Sequence, residues 1–243
     1  MSSSHLKRLV APRSWSIARK ERTWTTRPMP GKHSLEGAVP ISTILRDYLK
    51  VCDNNREAKI IINDGAVMID QKIIRKPKTA VGLMDVISIP LMKMHMRTML
   101  DDHGSIQYLP IKASEAKWKL LRVEGKTTVK EGKTQLNLHD GTNILSEEKI
   151  KTGDVIQVSL PNFKIKKVLE FKKGAQTLIT GGAHVGSIAK IAELETTRST
   201  KPNLVMYKDF QTIKPYSFVV GDKKAMIACL LYTSDAADEG LGV

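Results

Sequence analysis

Net positive charge is the property that most constrains how this chain can fold and what it can bind. Lysines and arginines number 39 against 25 aspartates and glutamates, which gives a formal net charge of +14 over 243 residues. Self-repulsion of this size destabilises a compact fold unless a polyanion neutralises it. Phosphate backbones are the usual partner, because bound lysines and arginines release condensed counterions. The charge predicts nucleic-acid binding, against the alternative of a basic protein without a polyanionic partner.

The charge is concentrated at the start of the chain. Residues 1–33 carry eight lysines and arginines against one glutamate, which is half of the net charge. Several prolines argue against long helices there, and basic arms of this kind commonly run along nucleic acid. We expect this arm to order only on RNA, because it has little apolar surface to bury by itself. Trp15 and Trp24 lie among the arginines, where each either stacks on bases or anchors the arm to the protein's core.

An α/β pattern follows the arm. A helical apolar stripe is formed by Ile41, Ile44, Leu45, Tyr48 and Leu49. A second helix is predicted to begin at Asn54 as N-cap, with Glu57 in capping-box register, and to stop at Gly65. Short strands are predicted on either side of Asp70-Gln71, and strand-type runs separated by glycines and polar turns continue to about residue 227. Residues 228–243 are acidic, and we expect them to be a disordered or artefactual tail.

No motif for catalysis or cofactor binding is present. Gly125-Lys126-Thr127 and Gly132-Lys133-Thr134 lack the glycine that a phosphate-binding loop requires five residues before its Gly-Lys pair, so both predict lysine-bearing turns. The histidines have no metal-site spacing, and Cys52 and Cys229 imply no disulfide framework. No signal peptide or membrane-spanning apolar run is visible. We therefore predict a protein that is not an enzyme and has no catalytic residue, metal, cofactor, membrane partner or small-molecule substrate.

Several stretches together resemble one protein family. They are residues 5–9 (HLKRL), 11–15 (APRSW), 45–50 (LRDYLK), 81–90 (VGLMDVISIP) and 135–141 (QLNLHDG). These stretches resemble the small-subunit ribosomal protein S4e family of archaea and eukaryotes, and the similarity extends over residues 5 to 227. The short Arg46 to Lys50 helix and the Ser-Trp opening look more archaeal than eukaryotic.

The resemblance implies a multidomain α+β fold. Its parts would be a basic N-terminal extension at 1–40, an S4-type (alpha-L) RNA-binding module with a small α/β fold at 41–105, a central β domain at 106–170, a C-terminal KOW-type SH3-like β-barrel at 171–227, and the tail at 228–243. It also implies a structural constituent of the small ribosomal subunit that binds and stabilises rRNA, in contact with other small-subunit ribosomal proteins. Such a protein would be cytoplasmic and ribosome-bound.

Charge and spacing indicate a second basic surface beside the arm. Arg56 and Lys59 are three residues apart and hence neighbours on one helix face, and Arg75 follows the predicted hairpin nearby. By similarity, the RNA surface also includes the arm and the KOW turn. The predicted RNA-binding residues are Lys7, Arg8, Arg13, Trp15, Arg19, Lys20, Arg22, Arg27, Lys32, His33, Arg46, Lys50, Asn55, Arg56, Lys59, Arg75, Lys76, Lys78, His184 and Lys190.

The chain departs from the family pattern at a few positions. In the KOW turn the family usually has lysine where Ser187 stands and glycine where Ala189 stands. If Ala189 takes a positive φ, strain of roughly 1 kcal/mol is expected. Asp70-Gln71 replaces a more typical glycine-bearing hairpin turn.

Two other functions share these modules. Alpha-L modules occur fused to pseudouridine synthases and methyltransferases, but the Gly-Arg-Leu-Asp motif of such an RNA-modifying enzyme is absent here. KOW barrels also occur in free translation or transcription factors, which cycle on and off their RNA. Salt-resistant association with the small subunit would separate the structural role from the cycling one.

Overall fold

Short antiparallel strands make up most of the fold. The computed structural model describes residues 5–129, 133–196, 201–222 and 224–227, so the predicted tail at 228–243 and part of the second Gly-Lys turn lie outside the described residues. The strands of the first half are β1 (His5–Lys7), β2 (Trp24–Thr26), β3 (Ala38–Pro40), β4 (Met68–Ile69), β5 (Lys72–Ile73), β6 (Ala80–Gly82), β7 (Val86–Ile89), β8 (Met94–Leu100) and β9 (Ile106–Pro110). Those of the second half are β10 (Trp118–Thr128), β11 (Thr134–Leu138), β12 (Asn143–Ser146), β13 (Val155–Ser159), β14 (Lys164–Leu169), β15 (Gln176–Ile179), β16 (Ile188–Lys190), β17 (Glu193–Glu195), β18 (Leu204–Met206), β19 (Gln211–Ile213) and β20 (Ser217–Gly221). With its few helices, this content is consistent with the α+β class.

The first predicted helix is short and changes type. It begins as α1 (Ile41–Thr43) and continues as a π-helix over Ile44–Tyr48, where the Leu49 amide donates to the Ile44 carbonyl at 2.9 Å. The apolar stripe on this segment faces the core as its spacing predicted. The stripe therefore located the buried face but did not reveal the wider helical turn.

The second helix, α2 (Asn55–Asn63), has the predicted caps. The Asn54 side chain accepts hydrogen bonds from the amides of Arg56 and Glu57, both at 2.9 Å. Glu57 reaches back to the amide of Asp53, one residue before the expected partner. The helix ends where Gly65 adopts a φ of +75°, a conformation that favours glycine.

One five-stranded sheet forms the body of the first half, in the order β5-β4-β7-β8-β9. The β4–β5 turn places Asp70 and Gln71 at positive φ (51° and 61°), which is the geometry of a tight hairpin without glycine. Ile106 of β9 is buried in the core of this half, so the β8–β9 hairpin crosses the boundary expected at residue 105.

The basic arm packs on this body. Ala11, Trp15 and Ile17 are buried in one core with Ile44 and Leu45, and Trp15 is 2% exposed. The expectation that the arm orders only on RNA is therefore corrected. The buried indole gives the arm enough apolar contact area to pack on the protein without RNA.

The second half contains one central sheet and two smaller ones. The central sheet has the order β12-β11-β10-β13-β14. Its strand β10 separates two cores: Leu121 and Val123 pack in one, and Leu120 packs in the other beside the C-terminal strands. The C-terminal sheets have the orders β16-β15-β20 and β17-β18-β19. Within the described ranges, no helix combines the length and apolar character needed to cross a membrane.

The condition for strain at Ala189, a positive φ, is not met in the structure. Ala189 lies in β16 opposite Thr177 and is not among the described residues with positive φ. Gly186 takes that conformation instead, with a φ of +82°, and a Cβ there would overlap the backbone of Asp101. Glycine is needed at the close approach to this neighbouring loop.

Candidate nucleic-acid interface

A groove of about 640 Å³ lies between the arm, α2 and the loop that follows β5. We call it the basic groove. Its lining residues are His5, Trp24, Thr25, Thr26, Met29, Arg46, Asn55, Lys59, Arg75, Lys76, Pro77 and Lys78. No acidic residue is among them.

Local structure explains how these residues meet. Pairing of β1 with β2 sets Trp24 opposite Lys7, while Asn55 and Lys59 are four residues apart on α2. The Met29 amide donates to the Lys78 carbonyl at 2.8 Å, which ties the loop after β5 to the arm. The arm, α2 and the loop after β5, with Arg46 of the π-helix, thus form one surface.

Most cations of the basic groove have no anionic partner in the part of the chain that the structure describes. Among the described residues, no carboxylate lies within ion-pair distance of Lys59, Arg75, Lys76 or Lys78. Arg46 differs, because its guanidinium donates to both carboxylate oxygens of Asp47, at 2.7 and 3.1 Å. Unpaired cations without nearby acids attract a polyanion.

The two tryptophans of the arm have different environments. Trp15 is an anchor in the core, whereas Trp24 is 50% exposed in the basic groove. The His5 ring meets the Trp24 ring edge to face, with centroids 4.7 Å apart, and Lys7 Nζ lies 6.0 Å from the indole. The sequence left both environments open for each residue, and Trp24 was not among the predicted site residues.

The structure brings together six of the predicted site residues and leaves others apart. Those in the basic groove are Arg46, Asn55, Lys59, Arg75, Lys76 and Lys78. Exposed outside it are Lys7, Arg13, Lys20, Arg22, Arg27, Lys32, Lys50 and Arg56. His184 and Lys190 are exposed on the C-terminal sheets, where His184 stacks on Phe210 with ring centroids 4.2 Å apart.

Three predicted site residues have side chains that are buried in the protein. Trp15 lies in the core, Arg8 is 1% exposed with its guanidinium 3.5 Å from Asp47, and His33 Nε2 is 2.8 Å from a carboxylate oxygen of Asp85. Their part in RNA binding stays a prediction, and the structure shows them in contacts within the protein.

Arg19 is also engaged within the protein. Its guanidinium donates to the carbonyls of Ala11 at 2.7 Å and Pro12 at 2.8 Å, so it holds the turn of the arm.

A second charged site is buried where the arm, the first sheet and the central sheet meet. Lys119 Nζ lies 2.8 Å from Asp70, 2.7 Å from Asp85 and 2.9 Å from Asp140, and all four side chains are at most 1% exposed. We call these four residues the buried ion cluster. His33 of the arm completes it through its contact with Asp85.

Charges within the buried ion cluster control one another's protonation. Burial by itself would lower the pKa of Lys119, but the carboxylates of Asp85, Asp70 and Asp140 raise it above its usual value. Burial would raise the pKa of Asp85 and Asp140, but Lys119 lowers both together with hydrogen bonds from His33 to Asp85 and from Thr142 to Asp140. The pKa of Asp140 is held at about 2. Burial and the neighbouring Asp85 raise the pKa of Asp70.

The three carboxylates are close enough to hold a metal ion, but Lys119 already supplies the cation. Its ammonium lies within 3 Å of an oxygen from each aspartate, where an ion would otherwise bind. Sequence reasoning missed this cluster. The available signal was a lysine within the apolar run of β10, where alternation places it on the same face as Leu121 and Val123.

Comparison with known proteins gives a consistent result. Residues 92–165 match the model of the "Ribosomal family S4e", and residues 2–36 match the "RS4NT (NUC023) domain". The chain is 43% identical over 232 residues to small ribosomal subunit protein eS4 of Methanothermobacter thermautotrophicus, covering 93% of this chain and 96% of the relative. It is 42% identical over 231 residues to the protein of the same name from Methanosphaera stadtmanae, with the same coverage of both chains. The crystal structure of 30S ribosomal protein S4e from Thermoplasma acidophilum is similar with a TM-score of 0.70 and 35% identity, over 79% of this chain and 99% of that one.

Proposed function

The chain belongs to the ribosomal S4e family, and on that premise we propose that the basic groove and the exposed cations of the arm bind rRNA of the small subunit. Like its relatives, it is a structural protein of the small ribosomal subunit. The observation that carries the proposed contact is the basic groove itself, in which four cations have no carboxylate partner among the described residues and no acidic residue is in the lining.

The proposed mechanism is electrostatic and geometric. Lys59, Arg75, Lys76 and Lys78 neutralise phosphates and set the position of the RNA, while the folded shape of the RNA selects the site. Because the anchored arm forms one wall of the groove, the protein presents this surface already assembled. Little ordering free energy is then lost on binding.

The predicted division of the chain is part of the proposal. We propose a basic extension at 1–40, an S4-type (alpha-L) module at 41–105, a central β domain at 106–170 and a KOW-type SH3-like barrel at 171–227. The sheet orders support this division, with β9 added to the sheet of the second part. On the barrel, His184 and Lys190 remain predicted RNA contacts, and their exposure is compatible with that role.

The relatives' family is one of structural ribosomal proteins and is not an enzyme class. We propose further that this chain catalyses no reaction, that it works ribosome-bound in the cytoplasm, and that it contacts other small-subunit proteins as well as rRNA. A cycling translation or transcription factor and an RNA-modifying enzyme remain the alternatives.

Sedimentation tests the proposal directly. Cell lysate is run through a sucrose gradient at moderate and then high salt, and the chain is located by immunodetection. Co-migration with the small subunit through the high-salt step is the expected result. Release at moderate salt would contradict stable rRNA binding and favour a cycling factor. Uridine isomerisation or methyl transfer by the pure protein would favour the enzyme.

A further inference from the structure

We propose that the basic groove is a pocket for an unpaired nucleotide of RNA, whose base stacks on Trp24 while its phosphates lie against Arg75, Lys76 and Lys59. This inference rests on the proposed rRNA binding and adds what part of the RNA the groove takes. Three features of the groove support a nucleotide: its size, its exposed aromatic surface and an unsatisfied hydrogen-bond acceptor.

The size of the groove suits a single nucleotide. At about 640 Å³ it falls in the range of cavities that enclose small organic ligands, which is roughly 300–1,000 Å³. An RNA duplex instead keeps its bases stacked inside the helix and presents mainly phosphates, riboses and shallow base edges. A groove of this size therefore fits a base that has left the stack.

The exposed indole is the feature that phosphate binding leaves unexplained. Phosphates need only cations and hydrogen-bond donors, whereas Trp24 adds a half-exposed aromatic surface among those cations. Unpaired bases stack on such surfaces, and arginine planes add to the effect. Trp15 satisfies the arm's need for a core anchor, so packing does not require a second tryptophan at position 24.

Asn55 supplies the third feature. Its side-chain oxygen is buried and has no hydrogen-bond donor among the described residues, although Asn55 lines the groove. Buried acceptors normally have a partner. A phosphate diester offers only acceptors, but a nucleotide offers donors through its 2′-hydroxyl and its base. The groove thus combines cations for the phosphate, an aromatic surface for the base and an acceptor for a ribose or base donor.

Tryptophan fluorescence and binding of defined RNAs test the proposal on the full chain. The probes are a single-stranded RNA hexamer, a blunt RNA duplex carrying the same number of phosphates, and inorganic polyphosphate. The variants are Trp24→Leu, which removes the aromatic ring, and Trp24→Phe, which keeps a smaller one. Trp118→Phe is the matched control, since that tryptophan packs against Arg97 outside the groove.

We expect the hexamer to quench fluorescence of the wild type and of Trp118→Phe more strongly than the duplex or polyphosphate. Trp24→Leu should weaken hexamer binding about tenfold, and Trp24→Phe should restore much of it. The dependence of affinity on salt should not change in Trp24→Leu, because no charge is lost. Neutralising Arg75 should instead reduce the salt slope by about 1.

Other outcomes would overturn the pocket. If Trp24→Leu binds the hexamer as well as wild type does, or if the duplex quenches equally, the base does not occupy the groove; salt-dependent RNA binding would then still support the proposed function. If wild type binds neither RNA, the proposed function fails as well. If Trp24→Leu leaves RNA affinity unchanged but lowers recovery of the chain in small subunits, a neighbouring protein occupies the groove.

Discussion

Lys59 in the basic groove and Lys119 in the buried ion cluster are the same side chain in opposite surroundings. Lys59 is exposed beside other cations, without a carboxylate partner among the described residues. Lys119 is fully buried and contacts three carboxylates. A solvated lysine contributes little to stability but is available to a polyanion, whereas a buried one is committed to its partners. In a chain with a charge of +14, burial and neighbouring charge therefore decide which lysines serve binding and which serve the fold.

The largest expected effect comes from removing the central cation. Lys119→Met should lower the free energy of unfolding by about 3–5 kcal/mol, because it removes the one cation that contacts all three of the buried carboxylates. The exposed Lys32, 3.5 Å from Asp70, and His33 beside Asp85 remain. Urea denaturation measures this. Lys117→Met, two residues away and exposed, is the matched control and should change stability by less than about 0.5 kcal/mol. Equal stability of the two variants would mean that the buried Lys119 contributes no more to the fold than an exposed lysine does.

Acidification should also lower the free energy of unfolding, through the buried side chain of His139. His139 Nδ1 accepts the Arg122 amide at 3.2 Å, and Nε2 lies 3.4 Å from the Leu83 carbonyl, so the ring is held neutral. Burial lowers the pKa of His139 from 6.5 to about 4. The unfolded chain binds the extra proton first, so this contribution is complete above pH 6.5 and is lost as the pH falls toward 4.

The loss should reach about 2–3 kcal/mol across that window. Urea unfolding of wild type and His139→Gln at pH 7, 6, 5 and 4.5 isolates it, since glutamine does not titrate. The difference between the two stability profiles should change steadily with pH. Parallel profiles would mean that His139 carries the same charge in the folded and unfolded states.

Neutralising cations of the basic groove should have the opposite effect to Lys119→Met: it should weaken RNA binding and leave stability almost unchanged. Arg75→Gln combined with Lys76→Gln should reduce affinity for small-subunit rRNA about tenfold near 0.1 M salt and lower the salt slope by about 2. Stability should stay within about 0.5 kcal/mol of wild type, because both side chains are exposed. Lys164→Gln with Lys166→Gln on β14 is the control for loss of the same charge. An equal loss of affinity in both pairs would mean that net charge, and not the groove, binds the RNA.

The smallest expected effect comes from the N-cap of α2, which helps to hold Lys59 in position without changing its charge. Asn54→Ala removes the cap of α2, which carries Asn55 and Lys59, and should lower stability by about 1 kcal/mol. Asn54→Asp keeps a capping oxygen and should restore most of that loss. Thermal unfolding checks both variants. No change in Asn54→Ala would indicate that packing alone holds the groove wall in place.

Local patterns predicted the elements whose cause is local. The Asn54 cap, the Gly65 stop and the buried stripe from Ile41 to Leu45 follow from neighbouring residues, so spacing was sufficient to find them. The π-helix at 44–48 was not predictable from the same stripe, because both helix types bury that face. Whether Ala189 needs a positive φ could not be decided from spacing, and the structure places the close approach that requires one at Gly186.

Composition and motif by themselves determined that this chain is a basic, mostly non-helical nucleic-acid binder of one ribosomal family, because charge, turn residues and short motifs are properties of the linear chain. Tertiary structure alone decided which charges remain available. It buried Trp15 and Arg8, covered the His33 side chain and left Trp24 exposed. It also placed Lys119 among three aspartates distant in sequence. The reason is physical: solvation and electrostatic energy depend on distance and burial, and neither can be read from the order of residues.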